Sequence, residues 1–216
     1  MNKKNLSELK YWQNRYDIEN NYFQNSWFKK NMLRMSEEDE NFFTDKVVAD
    51  FGCGPRGSLE WIKNSKVNIG IDVNTDLYAD NFKNSIINHN MLYVKSTENV
   101  IPIPDNYVDI LFTINAIDHV NNLEIMVNEL IRILKPNGIF AGYFNLEEPA
   151  SDCEPQRLTE ELISNLLENK LNIEVYKTSI IPKAPNDKYD ALHDEKEFEK
   201  YTKGDIGLLW IKGTKK

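Results

Sequence analysis

The sequence predicts an α/β fold: a doubly wound, mostly parallel sheet of seven strands with an antiparallel pair at one edge. Two observations support this prediction. From Lys46 to Leu146, short β-branched runs alternate with helical segments, which is the order of a parallel sheet covered on both faces. Near the end of the chain, two strand-like runs are separated by a charged segment, 182–205, without a helix long enough for a crossover. Two such strands should pair antiparallel.

The individual elements follow from hydrophobic period and from turn residues. Five strands are predicted in the first part of the chain, at KVVADF, VNIGID, MLYVK, YVDILFTI and IFAGYFNL. The helices among them are predicted at SLEWIKN, TDLYADNFKN and NLEIMVNELIRILK, and the last of these has apolar residues at i, i+3, i+4 and i+7. A helix at RLTEELISNLLEN then precedes the strands NIEVYKTSII and IGLLWIKG.

The first 42 residues are polar and aromatic. Trp12 and Tyr16, and then Phe23 and Trp27, are four residues apart, which is a helical spacing. We therefore expect one domain, 1–216, in which an N-terminal helical lid or cap, 1–42, accompanies an α/β core, 43–216. The aromatic residues either pack on this core or line a lid over a substrate, and Tyr16 is a candidate for substrate contact.

Composition excludes several classes of protein. No apolar run approaches the roughly 20 residues of a membrane span, and the N-terminus lacks the apolar core of a signal peptide, so we expect a cytoplasmic protein with no membrane contact. The net charge of −8 argues against a nucleic-acid partner. The two cysteines form no C-x-x-C pattern, and no metal site is expected. The oligomeric state, monomer or dimer, stays open.

A glycine-rich loop follows the first strand, in the stretch VVADFGCGPRGSLEWI. Gly52, Gly54 and Gly57 form G-x-G-x-x-G, the fingerprint of dinucleotide-binding loops. In an open α/β sheet the ligand binds at the carboxyl ends of the strands, where this loop lies. Asp72 ends the second strand and is placed to accept hydrogen bonds from a ribose diol.

Asp50, two residues before the first glycine, discriminates between possible ligands. A fixed carboxylate repels a pyrophosphate, at a cost of order 1 kcal/mol or more where screening is poor. The same carboxylate attracts a ligand that carries ammonium and sulfonium charges and no phosphate. The loop therefore favours such a cationic ligand over a nicotinamide dinucleotide.

Four motifs, in order over about residues 46–145, resemble those of the class I S-adenosylmethionine-dependent methyltransferases, which have a Rossmann-like fold. They are VVADFGCGPRGSL for motif I, NIGIDVN for the second motif, YVKSTENVIPIPDNYVDILFTINAIDHVNN for the adenine loop and fourth strand, and ELIRILKPNGIFAGYF for the segment before strand five. Asn137 replaces the first of two usual glycines in the last motif. The resemblance implies S-adenosylmethionine as the cofactor and S-adenosylhomocysteine as its product.

The resemblance also implies residue roles. The loop backbone at Gly52, Cys53 and Gly54 should pass under the methionine part of the cofactor, and Asp50 should favour its ammonium. Asp72 should take the ribose hydroxyls. The remaining cofactor-binding residues implied are Val73 beside the adenine, Thr97 and Glu98 in the adenine loop, and Asn115 near the methionine or the methyl group.

A methyl acceptor with a hydroxyl or amine must lose a proton. His119 follows the fourth strand at the ligand edge, and its unperturbed pKa near 6.5 suits a general base, so it is the candidate catalytic residue; capping or packing of the following helix is the alternative. Candidates for substrate contact are its neighbour Asp118 and, after the fifth strand, Glu154 and Arg157. His193 would join the site if the segment 182–205 folds over it.

We expect a methyltransferase for a small-molecule acceptor, with oxygen of a sugar, carboxylate or phosph(on)ate as the first choice. The chain resembles small stand-alone methyltransferases of bacterial secondary or cell-surface metabolism. Three alternatives stay open: N-methylation of a small amine or a protein, cofactor binding without catalysis, and a nicotinamide-dependent oxidoreductase.

Overall fold

A computed structural model describes residues 3–183 and 186–216 of the chain. It contains a seven-stranded sheet with the strand order β3-β2-β1-β4-β5-β7-β6. Strands β1 to β5 pair in parallel, whereas β7 lies antiparallel between β5 and β6. The predicted fold is confirmed. Residues 1–2 of the expected N-terminal cap and residues 184–185 of the charged segment lie outside the described ranges.

The strands are β1 (Val47–Phe51), β2 (Val67–Asp72), β3 (Leu92–Lys95), β4 (Val108–Ile114), β5 (Leu134–Leu146), β6 (Leu171–Ile180) and β7 (Gly207–Lys215). The α-helices are α1 (Lys3–Ile18), α2 (Ser26–Ser36), α3 (Thr75–Asn81), α4 (Lys83–Ile86), α5 (Leu123–Ile133) and α6 (Glu160–Leu167). Short 3-10 turns cover Glu40–Phe43, Ile117–His119 and Lys188–Leu192.

The core lies on both faces of the sheet. Every residue of β1 is buried, as a central parallel strand requires. Val47, Ala49 and Phe51 belong to a cluster with α5 and α6, whereas Val48 faces the opposite cluster with α2. The sheet therefore holds its strand ends, and the loops that follow them, in a fixed arrangement.

The prediction of a helix at residues 58–64 is wrong, because this segment folds as a series of turns. The amide of Asn68 donates to the carbonyl oxygens of Leu59, at 3.2 Å, and Ile62, at 2.8 Å. The Leu59 carbonyl also accepts from the N–H of Ile62 at 3.0 Å, and this bond between residues three apart is that of a tight turn rather than of an α-helix. The backbone N–H of Lys66 instead donates to Lys46 at 2.8 Å, which ties the segment to the start of β1. Tertiary partners have displaced the local helical pattern.

The segment between β6 and β7 makes no crossover, as predicted, and carries the 3-10 turn Lys188–Leu192. Within the described ranges, none of the helices has the length and apolar character that a membrane crossing requires.

Candidate active site

A cavity of about 630 Å³ opens at the carboxyl ends of β1, β2, β3 and β4. This edge of a doubly wound sheet is where ligands bind. The loop after β1, the end of β2, the adenine-loop position and the end of β4 line one part of the cavity. Among the predicted cofactor residues, those that line it are Asp50, Gly52, Cys53, Asp72, Val73, Thr97, Glu98 and Asn115.

The glycine loop bends sharply toward the neighbouring strands. Gly52 has a φ of +74°, and a Cβ there would lie 2.2 Å from the Cβ of Ala116, so only glycine fits between the ends of β1 and β4. Its N–H donates to the carbonyl of Ile71 at 2.8 Å. Gly54 donates its N–H to Asp72 Oδ2 at 3.1 Å, and the ring of Trp12 covers it. Gly54 therefore shapes the site through Asp72 rather than lining the cavity.

Two buried carboxylates face the cavity. The Ser58 hydroxyl donates to Asp50 Oδ2, and Asp72 Oδ1 accepts from the N–H of Asn74 at 2.8 Å. Burial raises the pKa of the Asp50 carboxyl to about 7, with the nearby charge of Asp72 acting in the same direction. Burial also raises the pKa of Asp72, to about 6, against two backbone hydrogen bonds. Both carboxylates would gain from a ligand that brings positive charge or hydroxyl donors.

The raised pKa of Asp50 makes the stability of the ligand-free protein depend on pH. Between the unfolded and folded pKa values, the folded state binds more protons, so stability falls as pH rises. From about pH 5.5 to about pH 7.5 we expect a loss on the order of 2 kcal/mol from Asp50. The variant Asp50→Asn, which stays neutral, should lack this part of the decline, whereas the contribution of Asp72 should persist.

Urea unfolding of the wild type and Asp50→Asn across this pH range checks the expectation. Parallel curves for the two proteins would show that Asp50 does not titrate in this window.

Helix α1, in the predicted N-terminal lid or cap, contributes one side of the cavity. The α1 residues that line it are Lys4, Asn5, Ser7, Glu8, Tyr11 and Trp12. The aromatic residues of this segment were candidate lid residues, whereas the polar residues, which share their helical spacing, were not predicted. Glu8 accepts a hydrogen bond from Trp12 Nε1 at 2.8 Å, and Lys4 Nζ lies 2.9 Å from Glu98. The Glu8–Trp12 bond lies within α1, whereas the Lys4–Glu98 pair and the bond from Lys4 Nζ to the His119 carbonyl, at 2.8 Å, fasten the helix across the cavity.

His119, in the turn after β4, also lines the cavity and lies among acidic groups. Its Nδ1 is 3.7 Å from Glu8 Oε2, and its Nε2 is 3.6 Å from Glu154 Oε1. Asp118 Oδ1 lies 4.0 Å from the same Nε2. Glu154 lines the cavity with His119, whereas Asp118 is buried behind it. Three of the residues proposed from sequence for the acceptor side are therefore brought together.

Two residues of the segment 182–205 also reach the cavity. Lys188 and Tyr189 line it, together with Trp27 and Phe28 of α2. The Lys188 ammonium donates to Asn145 Oδ1 at 2.7 Å, and burial lowers its pKa. Neither residue of the segment was predicted, because their position depends on how the segment folds back.

Other predicted residues lie away from the cavity. Tyr16 packs on Phe23 and Phe82, with ring centroids 4.8 and 5.2 Å away. Arg157 pairs with Glu147, at 2.7 Å. Substrate contact by Tyr16 or Arg157 stays a prediction without support from the cavity lining. His193 forms a hydrogen bond with the hydroxyl of Tyr143. Burial lowers the pKa of the His193 imidazole to about 4.

Comparison with known proteins assigns the family. Residues 49–142, which include the glycine loop, Asp72 and the end of β4, match the family model described as "Methyltransferase domain". The chain belongs to the class I S-adenosylmethionine-dependent methyltransferases. S-Adenosylmethionine is the cofactor of this family, as the motifs implied.

Curated relatives match at modest identity. Sterol 24-C-methyltransferase of Aspergillus fumigatus is 30% identical over 162 residues, which are 68% of the methyltransferase and 41% of that relative. Malonyl-[acyl-carrier protein] O-methyltransferase of Enterobacter lignolyticus is 30% identical over 95 residues, 44% of the methyltransferase and 37% of that relative. The methyltransferase thus spans less than half the length of these relatives.

A solved structure confirms the fold over the whole length. The matched chain comes from the complex between the Haloferax volcanii Trm112 methyltransferase activator and a methyltransferase. It superposes with a TM-score of 0.66 at 14% identity, and the match covers 99% of this protein and 98% of that chain.

The cavity fits the cofactor of the family. S-Adenosylmethionine carries ammonium and sulfonium cations and ribose hydroxyl donors, and the cavity presents two buried carboxylates, Asp50 and Asp72. The side-chain oxygen of Asn115 is also buried without a hydrogen-bond partner. A buried acceptor without a donor is costly, and a donor from the cofactor would satisfy it.

Proposed function

We propose that the protein transfers a methyl group from S-adenosylmethionine to an oxygen atom of a small molecule. The observation that carries the proposal is that one cavity joins the two buried carboxylates, Asp50 and Asp72, to the cluster around His119. A volume of about 630 Å³ suits small ligands, whose sites usually span 300–1,000 Å³.

The chemistry of the lining supports the cofactor end of this proposal. The Asp72 carboxylate accepts hydrogen bonds from the ribose hydroxyls, through lone pairs that are not used by its two backbone donors. The negative charge of Asp50 attracts the ammonium group. Val73, Thr97 and Glu98 surround the adenine. The backbone of Gly52 and Cys53 supports the methionine part, while Gly54 holds Asp72 in place. Asn115, directly after β4, is proposed to lie near the methionine part or the methyl group.

At the acceptor end, His119 is the proposed catalytic residue, which activates the acceptor oxygen. When bound, S-adenosylmethionine supplies an electrophilic methyl group on a sulfonium. The protein must then align the acceptor in line with that bond and help remove its proton. Trp27, Phe28 and Tyr189 offer apolar walls for alignment, and Lys188 offers a positive charge for an anionic group of the acceptor, such as a carboxylate or phosph(on)ate.

Two alternatives are kept. N-Methylation would use the same cavity, and Glu154 could balance an ammonium acceptor. If the protein binds the cofactor without catalysis, the cluster around His119 has no catalytic role. The names of the two relatives, an O-methyltransferase and a 24-C-methyltransferase, describe different acceptor atoms, so the preference for oxygen rests on the cluster at His119.

Ligand binding and turnover test the proposal in order. Thermal-shift assays should show stabilisation by S-adenosylmethionine and none by NAD, because a pyrophosphate would face the carboxylates of Asp50 and Asp72. Methyl-labelled cofactor should then transfer label to members of a panel of hydroxylated, carboxylated and phosphonylated small molecules, with matched amines as controls. Stabilisation by NAD alone would overturn the assignment of the cofactor, and label found only in the amines would establish the nitrogen alternative.

A further inference from the structure

Three side chains with metal-ligand chemistry converge at the acceptor end of the cavity: Asp118, His119 and Glu154. One ligand atom from each lies within 4.8 Å of the other two. The distances from His119 Nε2 are 3.6 Å to Glu154 Oε1 and 4.0 Å to Asp118 Oδ1. Ligand atoms around an ion bound at about 2.0–2.2 Å lie roughly 3–3.5 Å apart, so shifts of less than about 1 Å would close a shared site.

Asp118 supplies an independent reason to expect a ligand. Its side chain is only 6% exposed, and Oδ1, the atom that faces His119, is buried without a hydrogen-bond partner. Buried polar atoms almost always have a partner, and an unpartnered carboxylate oxygen is especially costly. A bound cation would satisfy this oxygen directly.

Charged groups of both signs surround the cluster. Lys188 Nζ donates to Asn145 Oδ1 at 2.7 Å, and Lys4 Nζ lies 2.9 Å from Glu98 and donates to the backbone carbonyl of His119 at 2.8 Å. Glu8 Oε2 faces the second ring nitrogen of His119, Nδ1, at 3.7 Å. A histidine that binds a metal through one nitrogen commonly donates the other N–H to a carboxylate, which fixes its tautomer. Glu8 is in place for this task.

We propose that Asp118, His119 and Glu154 bind one divalent first-row transition ion, with Mn²⁺ as the probe. One imidazole and two carboxylates suit ions that accept mixed nitrogen and oxygen ligands. An ion with an open position here attracts an acceptor hydroxyl or carboxylate oxygen and weakens its hold on a proton, which passes to water. This consequence for catalysis rests on the proposed function, whereas the binding of the ion does not.

Titration with Mn²⁺, followed by the EPR signal of the free ion, tests the site. Chelator-dialysed wild type should bind one Mn²⁺ per chain. Asp118→Asn and Glu154→Gln should each raise the dissociation constant at least about 10-fold, since even the partners of metal ligands contribute that much. The control is Asp152→Asn, an exposed carboxylate of the same loop, which should bind as wild type does.

Absence of saturable binding to the wild type would overturn the proposal, and so would equal binding by the wild type and both ligand variants. If circular dichroism shows that Asp118→Asn is unfolded, Glu154→Gln decides, because Glu154 lies in a partly exposed loop. S-Adenosylmethionine binding is measured on the same samples. Mn²⁺ binding without cofactor binding would refute the proposed function alone, and cofactor binding without Mn²⁺ binding would refute the metal site alone.

Discussion

His119→Ala is expected to lower the rate of methyl transfer roughly 10²- to 10⁴-fold while leaving the dissociation constant of S-adenosylmethionine nearly unchanged. The imidazole lines the cavity, 3.6 Å from Glu154, and the residues proposed to bind the cofactor are others. The loss is expected because the proposed task of the imidazole, as a general base or as the nitrogen ligand of the proposed cation, is to activate the acceptor oxygen. Single-turnover rates and calorimetric titration of the cofactor measure the two quantities.

The acceptor determines which kinetic parameter changes. A hydroxyl acceptor needs to lose a proton, so the variant should lose rate, and the ascending limb of its pH–rate profile should disappear. A carboxylate or phosphonate is already ionised, so the variant should lose substrate affinity more than rate. His89→Asn changes a histidine that bonds Tyr93 outside the cavity and should behave as wild type. Wild-type kinetics in every parameter for His119→Ala would leave His119 as a packing residue.

Asp72→Ala is expected to weaken cofactor binding by roughly 1.5–3 kcal/mol, the usual cost of losing hydrogen bonds to a charged group. This corresponds to roughly 10- to 150-fold in the dissociation constant. The structure adds a second effect. The N–H groups of Gly54 and Asn74 both donate to the Asp72 carboxylate, so the alanine variant should also lose stability, by about 1–3 kcal/mol for each buried donor left unpaired.

Asp72→Asn separates the two effects. It keeps one acceptor oxygen for the loop but removes the charge, so it should retain more stability than Asp72→Ala and still bind the cofactor weakly. Calorimetric titration and urea unfolding report the two quantities, with Asp76→Ala, an exposed carboxylate at the start of α3, as the control. A folded Asp72→Asn with wild-type affinity would show that Asp72 serves only the turn.

The sequence alone determined the sheet, the cofactor edge and the family. Alternating strands and helices need no tertiary information, because each central strand is buried on both faces and each covering helix carries one apolar stripe. The glycine loop and Asp72 could be located because both lie directly at strand ends, where the chain order itself places them at the ligand edge.

Local pattern was insufficient where side chains of another element bond the backbone. Residues 58–64 have a helical pattern, yet they form turns in which the Asn68 amide of β2 donates to the carbonyl oxygens of Leu59 and Ile62. The sequence placed Asp72 at the end of the second strand, but it did not show that this side chain is buried and accepts two backbone hydrogen bonds. Such bonds link residues whose proximity depends on strand register.

The sequence suggested His119, Asp118 and Glu154 for the acceptor side from their places after two strands, but only the tertiary structure shows which candidates meet. On α1, helical spacing places Trp12 and Tyr16 one turn apart, but only the docking of the helix shows that Trp12 lines the cavity and Tyr16 packs on Phe23. His119 and Glu154 are 35 positions apart, on loops that follow β4 and β5, and the parallel pairing of these strands brings both loops to one edge. No sequence period connects such loops, because their distance depends on which strands are neighbours in the sheet.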